Sequence, residues 1–540
     1  MIFQSSNSDL LENRESIINS DISIVGAGPA GITLAKELSK KNSIKISIIE
    51  SGDLSFNLKR QKLNLGNCID FGNYPHENYS ITHARIRQFG GTSNVWAGWS
   101  GPLEEEDFLQ KNWIEESGWP ISYNDLKPFY EQSQSILNLS KFIYDESVFK
   151  YYPKYLSKNY LKDFKNIFWQ FSDPPVKFNH KYFEYFKTKE NINLFLNHTI
   201  TDLVKVENKI TEIICYKNNK EIKFRSKYFV LATGAIENAS ILLNFQKKNS
   251  QANYNNKNIG KYFMEHPHCT IGYGYTKNKN FISCYSKQKL KELDNVKFLS
   301  GIVIPKEVQK KNNITNCVSV LLPNNFLEIQ SAVILRYNFA LKAINLNLVN
   351  FIFQIIKEMK KIFLSLFEFF KNFISGKKKF YIISRIEQVP NSKSKVYLSE
   401  NKNDFGNYLP VLDWNMKKQD LETLFVNFNE IKSKIENNKL AEIYPFDFIK
   451  KIENIKNDTT VKEWNKILKK EVFGVGHHMG TTRMGLDKDF SVVDKNLKVH
   501  EIDNLYCAGS SVFPTCGFIN PTLTIVALSL RLADHLEKKN

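Results

Sequence analysis

A glycine-rich turn near the start of the chain constrains its fold more than any other feature. Residues 26–31 read GAGPAG, follow the apolar run Ile22–Val25 and precede a segment with helical spacing of apolar residues. A second apolar run, Ile44–Ile49, ends at Glu50, 19 residues beyond the third glycine. Glycines at this spacing permit a tight turn, close approach of a pyrophosphate and close helix–strand packing, while the acid can accept ribose hydroxyls. The sequence therefore predicts a Rossmann-like βαβ unit that binds a dinucleotide, either NAD or FAD.

Length and composition place this unit in a large globular protein. The chain has 540 residues, 42% of them hydrophobic and 24% charged, which indicates several structural units and excludes wholesale disorder. The net charge is +18, yet the lysines are scattered and no helix-turn-helix, zinc-finger or RNP motif occurs. We therefore predict no nucleic-acid partner.

Cysteines and histidines give no sign of a metal site. The seven cysteines are widely spaced and form no C-x-x-C pair, a pattern typical of buried thiols in a reducing compartment. His266 and His268 lack a nearby set of cysteines or carboxylates to complete a tetrahedral site. We therefore predict no metal site. The first twenty residues lack the basic and apolar regions of a secretory signal, so we predict a cytoplasmic protein.

One segment leaves a membrane contact open. Residues 341–375 are strongly apolar but interrupted by Lys357, Glu358, Lys360 and Lys361, so they are too charged to span a bilayer. Apolar residues recur there at helical spacing, which predicts an amphipathic helix. Such a helix packs against the protein core or lies in a membrane interface with its lysines toward water. The localisation is then cytoplasmic, or peripheral at the inner face of the membrane.

Later segments favour FAD over NAD. Residues 89–101 read FGGTSNVWAGWSG, whose small residues suit a backbone lying flat against a planar cofactor. Residues 192–234 have the alternation of a β-meander that ends in an apolar strand, Tyr228–Ala232. No second complete G-x-G-x-x-G motif occurs, which argues against a separate NAD(P)H domain.

The C-terminal segment supplies a second site for the cofactor. An apolar strand, Leu505–Ala508, is followed by Gly509-Ser510 and later by Asn520-Pro521-Thr522 at the start of an apolar helix. Asn520 stands where its side chain would cap this helix, with Pro521 at the first position, and it could serve as a cap only. The functional interpretation places the helix N-terminus at the pyrimidine end of a flavin, where it stabilises negative charge on the reduced ring.

Taken together, these stretches resemble the glucose–methanol–choline (GMC) oxidoreductases, in particular the pyranose-oxidase-like and bacterial sugar- or polyol-dehydrogenase members. The resemblance rests on GAGPAG with Glu50, GGTSNVW, LATGAIENASILL, NIGKYFMEHPH, GVGHHMGTTRMG and the final GSSVFPTCGFINPTLTIVALSLRLADHL. It implies an α/β fold, with a Rossmann-like FAD-binding domain carrying an inserted β-meander and a substrate domain built on a mainly antiparallel sheet. We expect residues 1–110, 192–260 and 473–540 to form the first domain. Residues 111–191 and 261–472 form the second.

The resemblance also implies the site residues. The H-x-x-G-T and N-P-x-x-T motifs match His477 and Asn520 as the catalytic pair, with His478 pointing elsewhere. Val95 stands where members with histidyl-linked flavin carry the histidine, so we expect dissociable FAD. The predicted cofactor-binding residues are Gly26, Ala27, Gly28, Pro29, Ala30, Gly31, Glu50, Ser51, Gly91, Thr92, Ser93, Asn94, Val95, Ile200, Ala232, Gly509, Ser510, Asn520, Pro521 and Thr522.

From these residues we predict an FAD-dependent enzyme that oxidises a CH–OH group of a sugar, polyol or other alcohol. His477 takes the hydroxyl proton while the carbinol hydride goes to flavin N5. Two alternatives stay open: the same fold with carbonyl reduction or lyase-type chemistry, and a non-catalytic, membrane-associated flavin-binding protein. The electron acceptor is left open among oxygen, a quinone and a cytochrome.

Overall fold

The computed structural model describes residues 2–3, 17–69, 80–157, 159–218, 220–249, 254–322, 376–453 and 471–539. The predicted amphipathic helix over 341–375 lies outside these ranges. Within them, no helix combines the length and the apolar character needed to cross a membrane.

Strands and helices alternate along most of the described chain. The strands are β1 (Ile2–Phe3), β2 (Ile17–Val25), β3 (Ile46–Glu50), β4 (Asn67–Cys68), β5 (Trp99–Ser100), β6 (Lys165–Phe171), β7 (Ile192–Leu196), β8 (Thr199–Val206), β9 (Lys209–Lys217), β10 (Lys220–Leu231), β11 (His268–Thr276), β12 (Gln288–Lys289), β13 (Lys297–Val303), β14 (Cys317–Leu322), β15 (Lys378–Ile386), β16 (Lys395–Lys402), β17 (Tyr408–Asp413), β18 (Glu442–Pro445) and β19 (Leu505–Cys507). The α-helices are α1 (Pro29–Leu38), α2 (Leu58–Gln61), α3 (Tyr123–Ile136), α4 (Phe178–Lys187), α5 (Ala235–Lys248), α6 (Lys279–Cys284), α7 (Lys306–Asn312), α8 (Lys418–Asn437), α9 (Asp447–Glu453) and α10 (Thr522–Lys539). Short 3₁₀ turns cover Lys62–Asn64, Gly91–Asn94, Glu105–Asp107, Glu146–Tyr151 and Ser510–Val512.

The first sheet is the predicted Rossmann-like sheet with its inserted meander. Its strand order is β1-β7-β3-β2-β10-β9-β8, and β19 also pairs with β10. The strands β1, β7, β3, β2, β10 and β19 are parallel, whereas β8, β9 and β10 form the antiparallel meander. One edge of β10 pairs with β9 over Lys220–Phe224 and with β19 over Phe229–Leu231. The α/β fold prediction is confirmed.

The glycine turn explains how α1 can lie so close to this sheet. Every residue of β3 and the last four residues of β2 are buried, as expected for parallel strands covered on both faces. Gly26 has φ +100°, a conformation that favours glycine. A Cβ on Gly31 would lie 2.0 Å from the carbonyl oxygen of Gly26, so only glycine fits where the helix meets the turn.

The second sheet is antiparallel throughout and carries the predicted substrate-facing architecture. Its order is β18-β11-β15-β14-β13-β6-β5, with β12 beside β13. Helix α8 covers one face, where Asn427 donates to the hydroxyls of Ser319 and Ser384 on neighbouring strands. A small third sheet joins β16, β17 and β4. The domain boundaries at 110, 191, 260 and 472 remain a prediction.

Candidate active site

The glycine turn and the GGTSN stretch together form an open cradle. The N–H of Gly90 donates to the carbonyl of Ala27 at 2.7 Å, which fixes the second stretch against the first. A Cβ on Gly91 would lie 3.0 Å from the Cα of Gly28, whereas a Cβ on Gly28 would meet nothing within 4 Å. Gly28 therefore faces open space at the N-terminus of α1, where backbone N–H groups and the helix dipole favour an anion such as pyrophosphate.

Glu50 closes this turn with its carboxylate. One oxygen accepts the N–H of Ala27 at 2.9 Å, and the other accepts the N–H of Gly52 at 2.7 Å. A carboxylate has lone pairs beyond these two bonds, so it can still accept ribose hydroxyls as predicted. The neighbouring Ser51 accepts from the guanidinium of Arg87 at 2.6 Å.

The other predicted cofactor residues lie at the carboxyl ends of the central strands or beside them. Ala232 directly follows β10 and donates its N–H to Val25 at 2.7 Å. Gly509 follows β19, and a Cβ there would meet only Ala30 within 4 Å, at 3.8 Å. Ile200 lies on β8 at the edge of the sheet. This placement gives FAD an open, glycine-lined cleft, so the residues present fit the cofactor.

The remaining predicted residues sit in two structured loops. Thr92, Ser93 and Asn94 form a 3₁₀ turn, in which Ser93 donates to the Gly90 carbonyl and Asn94 to that of Phe89. Val95 follows this turn and is half exposed. Ser510 donates to the carbonyl of His478 at 2.6 Å, which links the two C-terminal motifs.

His477 and Asn520 meet, although 43 residues separate them. The Nδ2 of Asn520 lies 3.2 Å from the Nε2 of His477. The turn carrying His477 is held by Glu265, whose carboxylate accepts the N–H groups of Val475, Gly476 and His477 at 3.3, 2.7 and 3.0 Å. Glu265 is fully buried, so these bonds anchor the turn that carries His477 to the segment that leads directly into β11.

Arg385 on β15 orients Asn520 from the opposite side. Its Nη1 donates to the Oδ1 of Asn520 at 2.5 Å, and its Nε donates to the Nε2 of His268 at 2.6 Å. The guanidinium also stacks 5.5 Å from the rings of Trp99 and Trp169. The alternative in which Asn520 serves only as a cap of α10 is wrong, because both ends of its amide bond other side chains.

His266 contacts the far side of His477. The two Nδ1 atoms are 2.9 Å apart, and the Nε2 of His266 faces the carbonyls of Gly517 and Cys516 at 3.0 and 3.2 Å. His478 points elsewhere, as predicted, with its ring 5.7 Å from that of Phe263. Within the described ranges, no group of three or more metal-ligating side chains comes together.

Burial keeps the imidazole of His477 neutral. Removal from water lowers its pKa well below the usual value, and the nearby His266 and Arg385 lower it further. The pKa of His266 falls to about 3, mainly through burial. Burial lowers the pKa of Arg385 to about 9, which leaves the guanidinium charged at neutral pH.

Replacing Glu265 by glutamine should destabilise the turn of residues 475–477, which carries His477. The amide nitrogen of glutamine cannot accept an N–H, so at least one buried donor of residues 475–477 loses its partner, which costs about 1–3 kcal/mol. We expect a lower melting temperature and a lower turnover in Glu265→Gln. The control is Glu184→Gln, because Glu184 is exposed and forms an ion pair with Lys187 on the same helix. Equal melting temperatures of the two variants would contradict the anchoring role.

Comparison with known protein families finds a match for the C-terminal part of the chain. Residues 390–529 match the family model described as GMC oxidoreductase. The predicted resemblance to the GMC oxidoreductases is confirmed. Residues 4–57, which include the glycine turn, match the Thi4 family model. The GMC region contains both His477 and Asn520.

Curated relatives and a solved structure show which proteins this chain is similar to. The chain is 48% identical over 60 residues to the fructose dehydrogenase large subunit of Gluconobacter japonicus, and 44% identical over 62 residues to pyranose 2-oxidase of Tricholoma matsutake. Each match spans 11% of this chain and 11% of the relative's length. The crystal structure of pyridoxine 4-oxidase from Mesorbium loti has a TM-score of 0.56 at 13% identity, covering 96% of this chain and 99% of that chain. It shows the same overall fold.

Three residues of the site are not predictable as such from the sequence. His266 and His268 suggest only metal ligands there, and Arg385 carries no motif at all. The signal available is the cluster of polar residues in EHPH, placed between the apolar stretches KYFM and CTIGYGY. Polar side chains in such a buried context need partners, which marks them as members of a network.

Proposed function

We propose that this protein is an FAD-dependent oxidoreductase that oxidises a CH–OH group of a sugar, polyol or related small alcohol. The observation that carries the proposal is the contact between His477 and Asn520, which presents a neutral imidazole nitrogen and an amide donor side by side. The two named relatives are a fructose dehydrogenase and a pyranose oxidase, which supports a sugar or polyol as substrate.

The residues that would hold FAD are those of the glycine cradle. Gly28 and the N-terminus of α1 receive the pyrophosphate, Glu50 the ribose, and Gly509 with Ser510 the riboflavin part. Val95 offers no nitrogen for a covalent link, which supports dissociable FAD. When bound, FAD supplies the acceptor for a hydride.

Two side chains of this protein bind the substrate hydroxyl and remove its proton. The Nε2 of His477 accepts the hydroxyl proton of the alcohol, because burial keeps the imidazole unprotonated and ready to act as a base. The Nδ2 of Asn520 donates to the same oxygen as it becomes negative, since its Oδ1 is already held by Arg385. Asn520 is buried and His477 is partly buried, which limits the access of water and strengthens these interactions.

An anaerobic substrate screen tests the proposal. The purified protein should show flavin absorbance, and a panel of sugars, polyols and simple alcohols should include compounds that bleach it without oxygen. Reoxidation by oxygen, a quinone analogue and a cytochrome then identifies the electron acceptor. A flavin that no alcohol bleaches, but that a carbonyl compound reoxidises after chemical reduction with dithionite, would instead support carbonyl reduction.

Converting Asn520 to aspartate should shift the pH profile. In the wild type, kcat/KM should stay level as pH falls through 6.5, because the pKa of His477 lies well below that value. A carboxylate beside Nε2 favours the imidazolium, which raises the pKa of His477 and removes the base below it. We expect the acid limb of Asn520→Asp to move to higher pH, measured as kcat/KM with the best alcohol. If the acid limb of Asn520→Asp stays at the wild-type pH, residue 520 does not contact the base, and the proposed role of the pair is contradicted.

A further inference from the structure

We propose that His266 is a positioning residue that sets the tautomer of His477, so that the nitrogen facing Asn520 carries a lone pair. The inference rests on the proposed role of His477 as the base. It concerns a separate property, however: which ring nitrogen of His477 holds the hydrogen before any substrate arrives. A neutral imidazole with its hydrogen on Nε2 could not accept a proton there.

Two main-chain carbonyls determine where His266 carries its hydrogen. The Nε2 of His266 lies 3.0 Å from the carbonyl oxygen of Gly517 and 3.2 Å from that of Cys516. Carbonyl oxygens only accept hydrogen bonds, so this nitrogen must carry a hydrogen. Because His266 is fully buried and its pKa is depressed by that burial, the ring is neutral and has no second hydrogen. The Nδ1 of His266 is therefore an acceptor.

The Nδ1 of His266, as an acceptor, determines which ring nitrogen of His477 carries the hydrogen. The Nδ1 of His477 lies 2.9 Å from the Nδ1 of His266, so His477 must donate its hydrogen in this contact. A neutral His477 then has no hydrogen on Nε2. The lone pair on Nε2 points toward Asn520, where the substrate hydroxyl is proposed to bind.

The same assignment follows independently from the other end of the network. Arg385 can only donate, so the atom of Asn520 that faces it must be the oxygen. The amide nitrogen of Asn520 then faces the Nε2 of His477 and donates to it, which requires a lone pair on that nitrogen. The opposite tautomer would set hydrogen against hydrogen at one contact and leave two lone pairs facing at the other. Each of these two contacts would leave polar groups without a hydrogen-bond partner inside the protein, which costs free energy.

The other charged or titratable groups around His477 are committed elsewhere. The Nδ1 of His268 faces the carbonyl of His266 at 2.9 Å, and its Nε2 accepts from Arg385. His478 faces Glu265 at 3.8 Å. Glu265 itself binds the main chain of the turn that carries His477. Among the described residues, His266 is thus the side chain that contacts the Nδ1 of His477.

Nitrogen NMR of the wild-type holoenzyme tests the assignment without turnover. The protein is labelled with ¹⁵N only in histidine, and the two rings are assigned by comparison with His266→Leu and His477→Gln. We expect a protonated-type shift for the Nδ1 of His477 and the Nε2 of His266, and an unprotonated-type shift for the Nε2 of His477. A hydrogen found on the Nε2 of His477 would overturn the inference, even if His477 proves to be the base.

Two variants connect the tautomer to the rate. His266→Leu removes the acceptor and leaves the weaker 3.2 Å contact with Asn520 as the remaining support of the Nδ1–H tautomer. The other tautomer then becomes partly populated, and we expect flavin reduction to slow on the order of 10²-fold with little change in KM. His266→Asp supplies an acceptor-only group at the same place, so the Nδ1–H tautomer should persist while the acid limb of the pH profile moves upward. His535→Leu is the control, since His535 lies on α10 beside Tyr506. If His266→Leu keeps the wild-type NMR shifts of His477, the inference fails. If the shifts change and the rate does not, the proposed function fails instead.

Discussion

Replacing His477 by alanine is expected to slow the reduction of bound flavin by an alcohol about 10²- to 10⁴-fold, the usual contribution of a positioned general base. In the wild type, the Nε2 of His477 lies 3.2 Å from Asn520 and is kept unprotonated by burial. Alanine leaves the hydroxyl proton without an acceptor. Anaerobic stopped-flow absorbance with the best substrate measures the rate directly.

The yellow colour should survive this change, because His477 contacts none of the glycine turn in the described structure. His535→Ala serves as the matched control, since it removes an imidazole from α10 without touching the network around Asn520. An alanine variant that reduces its flavin at the wild-type rate would exclude His477 as the base.

Replacing Gly28 by valine should weaken FAD binding about 100-fold or more, a loss of roughly 3 kcal/mol or greater. The added side chain would enter the open space at the N-terminus of α1, where no protein atom lies within 4 Å of a Cβ. It would therefore compete with the pyrophosphate rather than with the protein core. Titration of the flavin-free protein with FAD, followed by flavin fluorescence, gives the dissociation constant.

The flavin-free form provides the control for this second change. Because the Cβ meets no protein atom, Gly28→Val should unfold at nearly the wild-type temperature without FAD. Gly31→Val should behave differently, since a Cβ there would lie 2.0 Å from a backbone oxygen and disrupt the turn itself. Equal FAD affinities of wild type and Gly28→Val would show that the cofactor does not bind over this glycine.

Local patterns were sufficient to predict the nucleotide-binding half of the fold. Strand β2, the turn and α1 follow from a buried apolar run, three glycines and helical spacing, all within residues 22–38. The meander and β10 follow from alternation and from an apolar strand. The observed β10 is longer than predicted, beginning at Lys220 instead of Tyr228. Its mostly polar first part pairs with β9, and only its last three residues, Phe229–Leu231, form a continuous buried run.

Only part of the candidate site could be predicted from the sequence, and the reason is physical. His477 and Asn520 belong to motifs with recognisable neighbours, whereas Arg385 reaches Asn520 only because β15 crosses the antiparallel sheet beside β11. His266 and His477 are 211 residues apart, and no periodicity connects them. Interactions of this kind depend on register between strands of a sheet, which a single sequence does not specify.

The pairing of β10 with β19 has a consequence for biosynthesis. Phe229, Val230 and Leu231 acquire their parallel neighbour only from residues 505–507, so a ribosome must translate more than 270 further codons before that gap in the sheet can close. Helix α10, which is tied to the end of α1 through Glu537 and Lys41, emerges later still. Vectorial synthesis therefore delivers the glycine turn well before the imidazole of His477 and the amide of Asn520, and this edge of β10 stays without its parallel neighbour until residues 505–507 have been translated.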